Sequence, residues 1–146
     1  VERLEDGRLN IEVVGQERFR IVELHHDKSY LSGTVERFPL DSTTTAHAVA
    51  LGHSLRPWVQ RYLSILGQSA NVRLDGQKLP DEPAALAYLA AIVAQVPMAE
   101  KQTLLACPSA IELLTRERIL YRREVSLIKA LLQHPNSQTD PDVYPN

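Results

Sequence analysis

The spacing of apolar residues changes near residue 41, and that change divides the chain. Before it the period is two. Arg8-Leu9-Asn10-Ile11-Glu12-Val13-Val14 alternates, with Leu9, Ile11 and Val13 on one face of a strand and Arg8, Asn10 and Glu12 on the other. Asp6-Gly7 ahead of it is a hairpin turn signal, because glycine tolerates positive φ. Gly15-Gln16-Glu17 reads as the next turn. Phe19-Arg20-Ile21-Val22-Glu23-Leu24 reads as the next strand, followed by a polar loop over residues 25–29. Residues 30–38 form a fourth run, with Gly33 as a bulge or close-approach point and Pro39 as its end. The pattern predicts an antiparallel meander with one wet face and open edges.

After Asp41 the period becomes that of a helix. Val49, Leu55, Val59, Tyr62, Leu63 and Leu66 form an amphipathic stripe, with Asp41 or Ser42 as N-cap and Gly67 as C-cap. Pro57 inside it predicts a kink or a break. Residues 68–82 read as a polar loop with a turn at Asp75-Gly76. Asp81-Glu82-Pro83 opens an alanine-rich helix over residues 84–96, and Pro97 stops it. Residues 98–106 make a short helix closed by Pro108. Ser109-Ala110-Ile111-Glu112 matches a capping box that starts a last helix, running to about His134. Its stripe is Ile111, Leu114, Arg118, Tyr121, Val125, Ile128 and Leu132, widened by Leu113, Leu120, Leu127 and Leu131. The polar tail from Pro135 carries further prolines and reads as disordered. The expected class is therefore α+β: a β meander over residues 1–40, an all-α bundle with a long terminal helix over 41–134, and a tail over 135–146.

Length and charge narrow the function classes. The chain has 146 residues, 44 % of them hydrophobic, and a formal net charge of −2. Residues 1–45 carry −3, 46–98 carry +1 and 99–134 carry +2. That balance lacks the dense basic stripe of a nucleic-acid binder, and Arg122-Arg123 reads as a solvated helix face. No apolar run approaches the ~20 residues that span a bilayer. One cysteine, Cys107, excludes an intrachain disulfide and a multi-cysteine metal site. The expected location is the cytoplasm. Val1-Glu2-Arg3-Leu4 already reads as strand, which predicts further chain upstream.

Candidate chemistry is sparse. The six glycines, at 7, 15, 33, 52, 67 and 76, do not form a phosphate-binding loop. His25-His26-Asp27 is the densest set of potential ligands, but adjacent histidines on an extended segment point to opposite sides. His47 and His53 face different directions on a helix. Ser126-Leu127-Ile128-Lys129 matches the S-x-x-K spacing of Ser/Lys hydrolases, but it lies deep in a helix, far from oxyanion-binding amides. Cys107 precedes Pro108 between helices and reads as a packing residue. The expectation is no catalytic residue, no cofactor and no metal. Phe19, Tyr30, Phe38, Trp58 and Tyr62 are candidate binding aromatics, most of them expected in cores.

The order of segments resembles one family. The run Asn10-Ile11-Glu12-Val13-Val14-Gly15-Gln16-Glu17-Arg18-Phe19-Arg20-Ile21 is similar to the "hydrophobic strand, Gly, x, x, Arg-Phe-Arg-Ile" hairpin of the LON substrate-binding domain, the N-terminal domain of the ATP-dependent protease Lon. Leu79-Pro80 with Asp81-Glu82-Pro83-Ala84-Ala85-Leu86-Ala87-Tyr88-Leu89-Ala90 resembles its "dP..LAd.iA" helix, and Glu100-Lys101-Gln102-Thr103-Leu104-Leu105 its "eKQ.LLE" turn. Residues 111–132 resemble its terminal helix, with "L..rE" at Leu120 and Glu124. The family's opening strands have no counterpart here, and Cys107-Pro108 replaces its usual acidic residue. The resemblance implies a non-catalytic module that binds unfolded or tagged polypeptides for a proteolysis system. The alternative is a structural, self-associating module. Partners are then other polypeptides, a protease partner among them, with neither nucleic acid nor membrane. The open β edge is left to be capped by an upstream segment or by a second copy, as a homo-oligomer.

Overall fold

The computed structural model describes residues 2–70 and 79–133. The Asp75-Gly76 turn and the tail from Pro135 lie outside the described residues. The chain divides into two units, Val1–Leu40 and Asp41–Asn146. The first holds strands and the second helices, so the α+β class holds.

In the first unit, β1 (Glu2–Arg3) pairs antiparallel with β2 (Leu9–Asn10). Gly7 between them has φ of 85°, the conformation that required glycine. β3 (Phe19–His25) pairs antiparallel with β4 (Ser32–Arg37). These are two separate two-stranded sheets, not one four-stranded meander. The expected strand over residues 8–14 stops at Asn10, because β1 offers partners only through Glu2 and Arg3. Residues 11–18 are irregular, and Gly15-Gln16-Glu17 makes no turn.

In the second unit, α1 (Ala46–Ala70) runs unbroken through Pro57. Pro57 and His53 are both exposed, so water can take the carbonyl that proline leaves unpaired. Thr45 caps the helix, its hydroxyl accepting from Ala48 N–H at 3.2 Å. Asp41, expected as the cap, instead forms a parallel bridge with Ser109. Gly67 lies buried inside α1 and does not end it. α2 (Pro83–Val93) starts under Glu82, whose carboxylate accepts from Ala84 and Ala85 N–H at 3.0 and 2.6 Å. Arg56 of α1 fixes the approach to α2, donating to the Leu79 and Pro80 carbonyls and to Asp81. α3 (Met98–Leu105) follows Pro97. α4 (Ala110–Gln133) opens with the expected Ser109 cap, which accepts from Glu112 N–H at 3.3 Å.

Contacts along the helices set their directions. α1 and α4 run the same way: Asp41 bridges Ser109, Trp58 lies under the Arg122 guanidinium, and Tyr62 packs edge-on against Tyr121 with ring centroids 5.1 Å apart. α2 shares that direction, with Gly52 beside Pro83 and Leu86 and Tyr62 beside Gln95. α3 returns, so that Glu100 reaches Arg123 at 2.8 Å. The core lies here: Leu55, Val59 and Tyr62 of α1 with Leu86, Ala87 and Ala90 of α2 and Leu113, Leu114, Tyr121 and Val125 of α4. Two tyrosines finish α2. Tyr62 hydroxyl accepts from Gln95 N–H, and Tyr121 hydroxyl donates to Ala90 C=O at 2.8 Å. The buried stripe of α4 ends at Val125, and Leu127, Leu131 and Leu132 are exposed.

Candidate functional site: an uncovered apolar hairpin

Alternation alone would put Ile21 and Leu24 on opposite faces of β3, since they are three apart. Between Ile21 and Glu23 the register shifts, so that Ile21 pairs with Val35 and Glu23 with Thr34. Val22 is the extra residue of a β-bulge, and the faces swap across it. A Cβ placed on Gly33 would lie 3.5 Å from Leu24 Cδ2 and 3.7 Å from Ile21 Cγ2, which puts both side chains on one face. The same Cβ would stand 2.8 Å from the Glu23 carbonyl oxygen. Gly33 is thus the close-approach point that its sequence position implied.

One face of the hairpin therefore carries Phe19, Ile21, Leu24 and Val35, with Arg37 at its end opposite Phe19 and paired with Glu17 at 3.0 Å. The other carries Arg20, Glu23, His25, Thr34, Glu36 and Phe38. Contacts on the polar face agree: Arg20 pairs with Glu36 at 3.2 Å, stacks over Phe38, and His25 Nε2 meets Thr34 Oγ1 at 2.7 Å. The apolar face is uncovered. Phe19 is 59 % exposed, Ile21 55 % and Val35 53 %. No residue from Arg3 to Leu40 is buried. A monomer seldom leaves so much contiguous apolar surface to water unless something binds there.

The other candidate groups are not brought together. Among the described residues no three His, Cys, Asp or Glu side chains could share a metal ion. His47 and His53 are exposed on α1. Ser126 Oγ donates to the Arg122 carbonyl at 2.8 Å, so its hydroxyl proton is turned into its own helix and away from Lys129. Cys107 is buried, with Sγ 3.5 Å from the Thr103 carbonyl, as a packing residue should be. A groove of about 210 Å³ between α3 and α4 is lined by Glu100, Leu104, Arg116, Ile119 and Arg123. That is below the roughly 300 Å³ of small-molecule sites. Its arginines are already engaged, Arg116 with Glu112 and Arg123 with Glu100 and Glu124. Of the aromatics, Tyr62 is buried while Phe19 and Tyr30 are exposed, against the expectation that most serve cores.

Sequence reasoning passed over Glu117. It is fully buried in α4, and neither carboxylate oxygen has a hydrogen-bond partner among the described residues. Burial raises its pKa from 4.5 to about 9. Its proximity also pushes the Tyr121 hydroxyl up, on top of the larger effect of that residue's own burial. The signal was available: Glu117 follows Leu114 by three and precedes Tyr121 by four, the spacing of the apolar stripe.

The helical unit has a closed core, and the strand unit exposes an apolar face. The family profile described as the ATP-dependent protease La (LON) substrate-binding domain matches residues 1–122, and the chain belongs to that family. The resemblance in its segments was correct. That domain is a substrate-binding, non-catalytic module. No match is found among curated proteins. No helix among the described residues is long and apolar enough to cross a membrane.

Proposed function

We propose that the chain captures extended apolar segments of unfolded or tagged polypeptides on the β3–β4 hairpin, as the client-holding part of a proteolysis system in the cytoplasm. The observation that carries this is the uncovered face of Phe19, Ile21, Leu24 and Val35 in a member of a substrate-binding family. An extended client offers apolar side chains on alternate positions, which matches the pleat of this face. Its backbone can also pair with an open strand edge, so that main-chain hydrogen bonds add affinity with little demand on sequence. Such a module needs no catalytic side chain, metal or cofactor of its own.

Fluorescence anisotropy with a labelled, reduced and carboxymethylated polypeptide tests the reading. The parent chain binds it. The Ile21→Ser, Val35→Ser double variant binds at least about tenfold more weakly, since each apolar side chain buried contributes about 1.5 kcal/mol or more. Unchanged binding by that variant, or none by the parent, would contradict the proposal.

A further inference from the structure

The cations of the helical unit fall into two sets. On the α3 side of α4 the arginines are matched by carboxylates: Arg116 pairs with Glu112, and Arg123 with Glu100 and Glu124, all at 2.8 Å. On the α1 side they are not. Arg122 lies over the Trp58 ring, 5.7 Å from its centroid. Arg118 precedes Arg122 by four residues and Lys129 follows it by seven, the spacings of one helix face. Arg61 follows Trp58 by three, so it lies one turn along the same seam. Among the described residues none of these four cations forms an ion pair. The sequence explains why. α1 holds no Asp or Glu, and no carboxylate stands three or four residues from any of the four. Glu112 and Glu124 of α4 serve the other set, and Glu117 is buried.

We propose that this seam of α1 and α4 docks an acidic, extended segment of a partner polypeptide. Arg118 and Arg122 are like charges one helical turn apart, which costs stability unless an anion neutralises them. They stand about 6 Å apart along α4. Alternate side chains of an extended chain are ~6.8 Å apart, so acidic residues at alternate positions reach both. Each guanidinium can hold a carboxylate through two parallel N–H donors. Arg61 extends the field across the seam, and Lys129 extends it along α4. A nucleic acid also offers anions, but three cations along about 16 Å of α4 and one on α1 make a short, sparse row. The chain as a whole carries −2, which does not favour phosphate either. The seam belongs to the helical unit alone and is independent of the hairpin.

Trp58 is the chain's one tryptophan, so its fluorescence reports on the seam directly. The full chain is titrated at low salt with a short peptide of alternating glutamate and alanine, and with its glutamine counterpart. The acidic peptide draws Arg122 toward its carboxylates and changes the Trp58 emission; the glutamine peptide does not. The Arg118→Gln, Arg122→Gln double variant binds the acidic peptide about fivefold more weakly or worse, as loss of two exposed ion pairs requires. Arg116→Gln, on the paired side, binds as the parent does. Arg61→Gln also weakens binding, and decides the matter should the double variant lose its helical circular dichroism. No saturable response from the parent, equal binding of the glutamine peptide, or unchanged binding by the arginine variants would overturn the proposal. Tighter binding of a single-stranded oligonucleotide than of the acidic peptide would overturn it too, and would assign the seam to nucleic acid.

Discussion

Replacing Glu117 with glutamine will stabilise the helical unit at pH 8 and leave it unchanged near pH 4. The carboxyl is fully buried, neither oxygen has a hydrogen-bond partner among the described residues, and burial raises its pKa to about 9. In the unfolded chain it titrates at its ordinary value of 4.5. Below that value both states hold the proton, and the group has no effect on the pH dependence. Between 4.5 and about 9 the unfolded chain releases its proton while the folded chain keeps it. Stability therefore falls as pH rises, by about 1.4 kcal/mol per unit at most. Above about 9 the folded form ionises too and the loss levels off. Glutamine mimics the protonated acid and does not titrate. Its advantage at pH 8 is on the order of 3–5 kcal/mol. Urea melts followed at 222 nm at pH 4, 6 and 8 measure it. The midpoints of the two proteins should coincide at pH 4 and diverge steadily above it. A constant separation would place Glu117 in water.

Truncating Tyr121 to alanine is expected to cost about 3–5 kcal/mol, the range for removing a large aromatic from a packed core. Its ring is fully buried and meets Tyr62 edge-on at 5.1 Å, where α1 and α4 touch beside the end of α2. Losing it opens a cavity that three helices cannot close together. Tyr121→Phe keeps the ring and removes only the hydroxyl that donates to Ala90 C=O. That carbonyl still accepts from Ala94 N–H at 3.1 Å, so the cost should be near 1 kcal/mol. Thermal melts of both variants separate the packing effect from the hydrogen bond. Equal losses would show that the hydroxyl, not the ring, holds the helices.

The helical half was legible because its signals are local. A capping Ser109, Pro83 in the first turn of α2 and apolar residues three and four apart each act within one or two turns. Pro57 misled because its effect depends on exposure: on a wet face the orphaned carbonyl can be solvated and the helix continues. Gly67 misled in the same way, since a glycine buried in a helix can serve packing as well as termination. The strand half was legible only as far as its turns. Whether residues 8–14 form a strand depends on a partner, and pairing is not written in one segment alone. The face assignment of β3 was hidden for a related reason. Val22 becomes a bulge only against β4, and that one extra residue decides which side chains share the apolar face. Glu117 was readable from its place three residues after Leu114 and four before Tyr121, but the expected stripe ran through the neighbouring Arg118 instead.

The most direct test of the account is a photo-crosslinker placed at Ile21, in the centre of the apolar hairpin face, or at Ile92, an apolar residue 69 % exposed on α2. Each protein is mixed with the same reduced and carboxymethylated polypeptide and irradiated. The account predicts covalent adducts from position 21 and background yield from position 92. Adducts from position 92 alone, or equal yields from both, would contradict it.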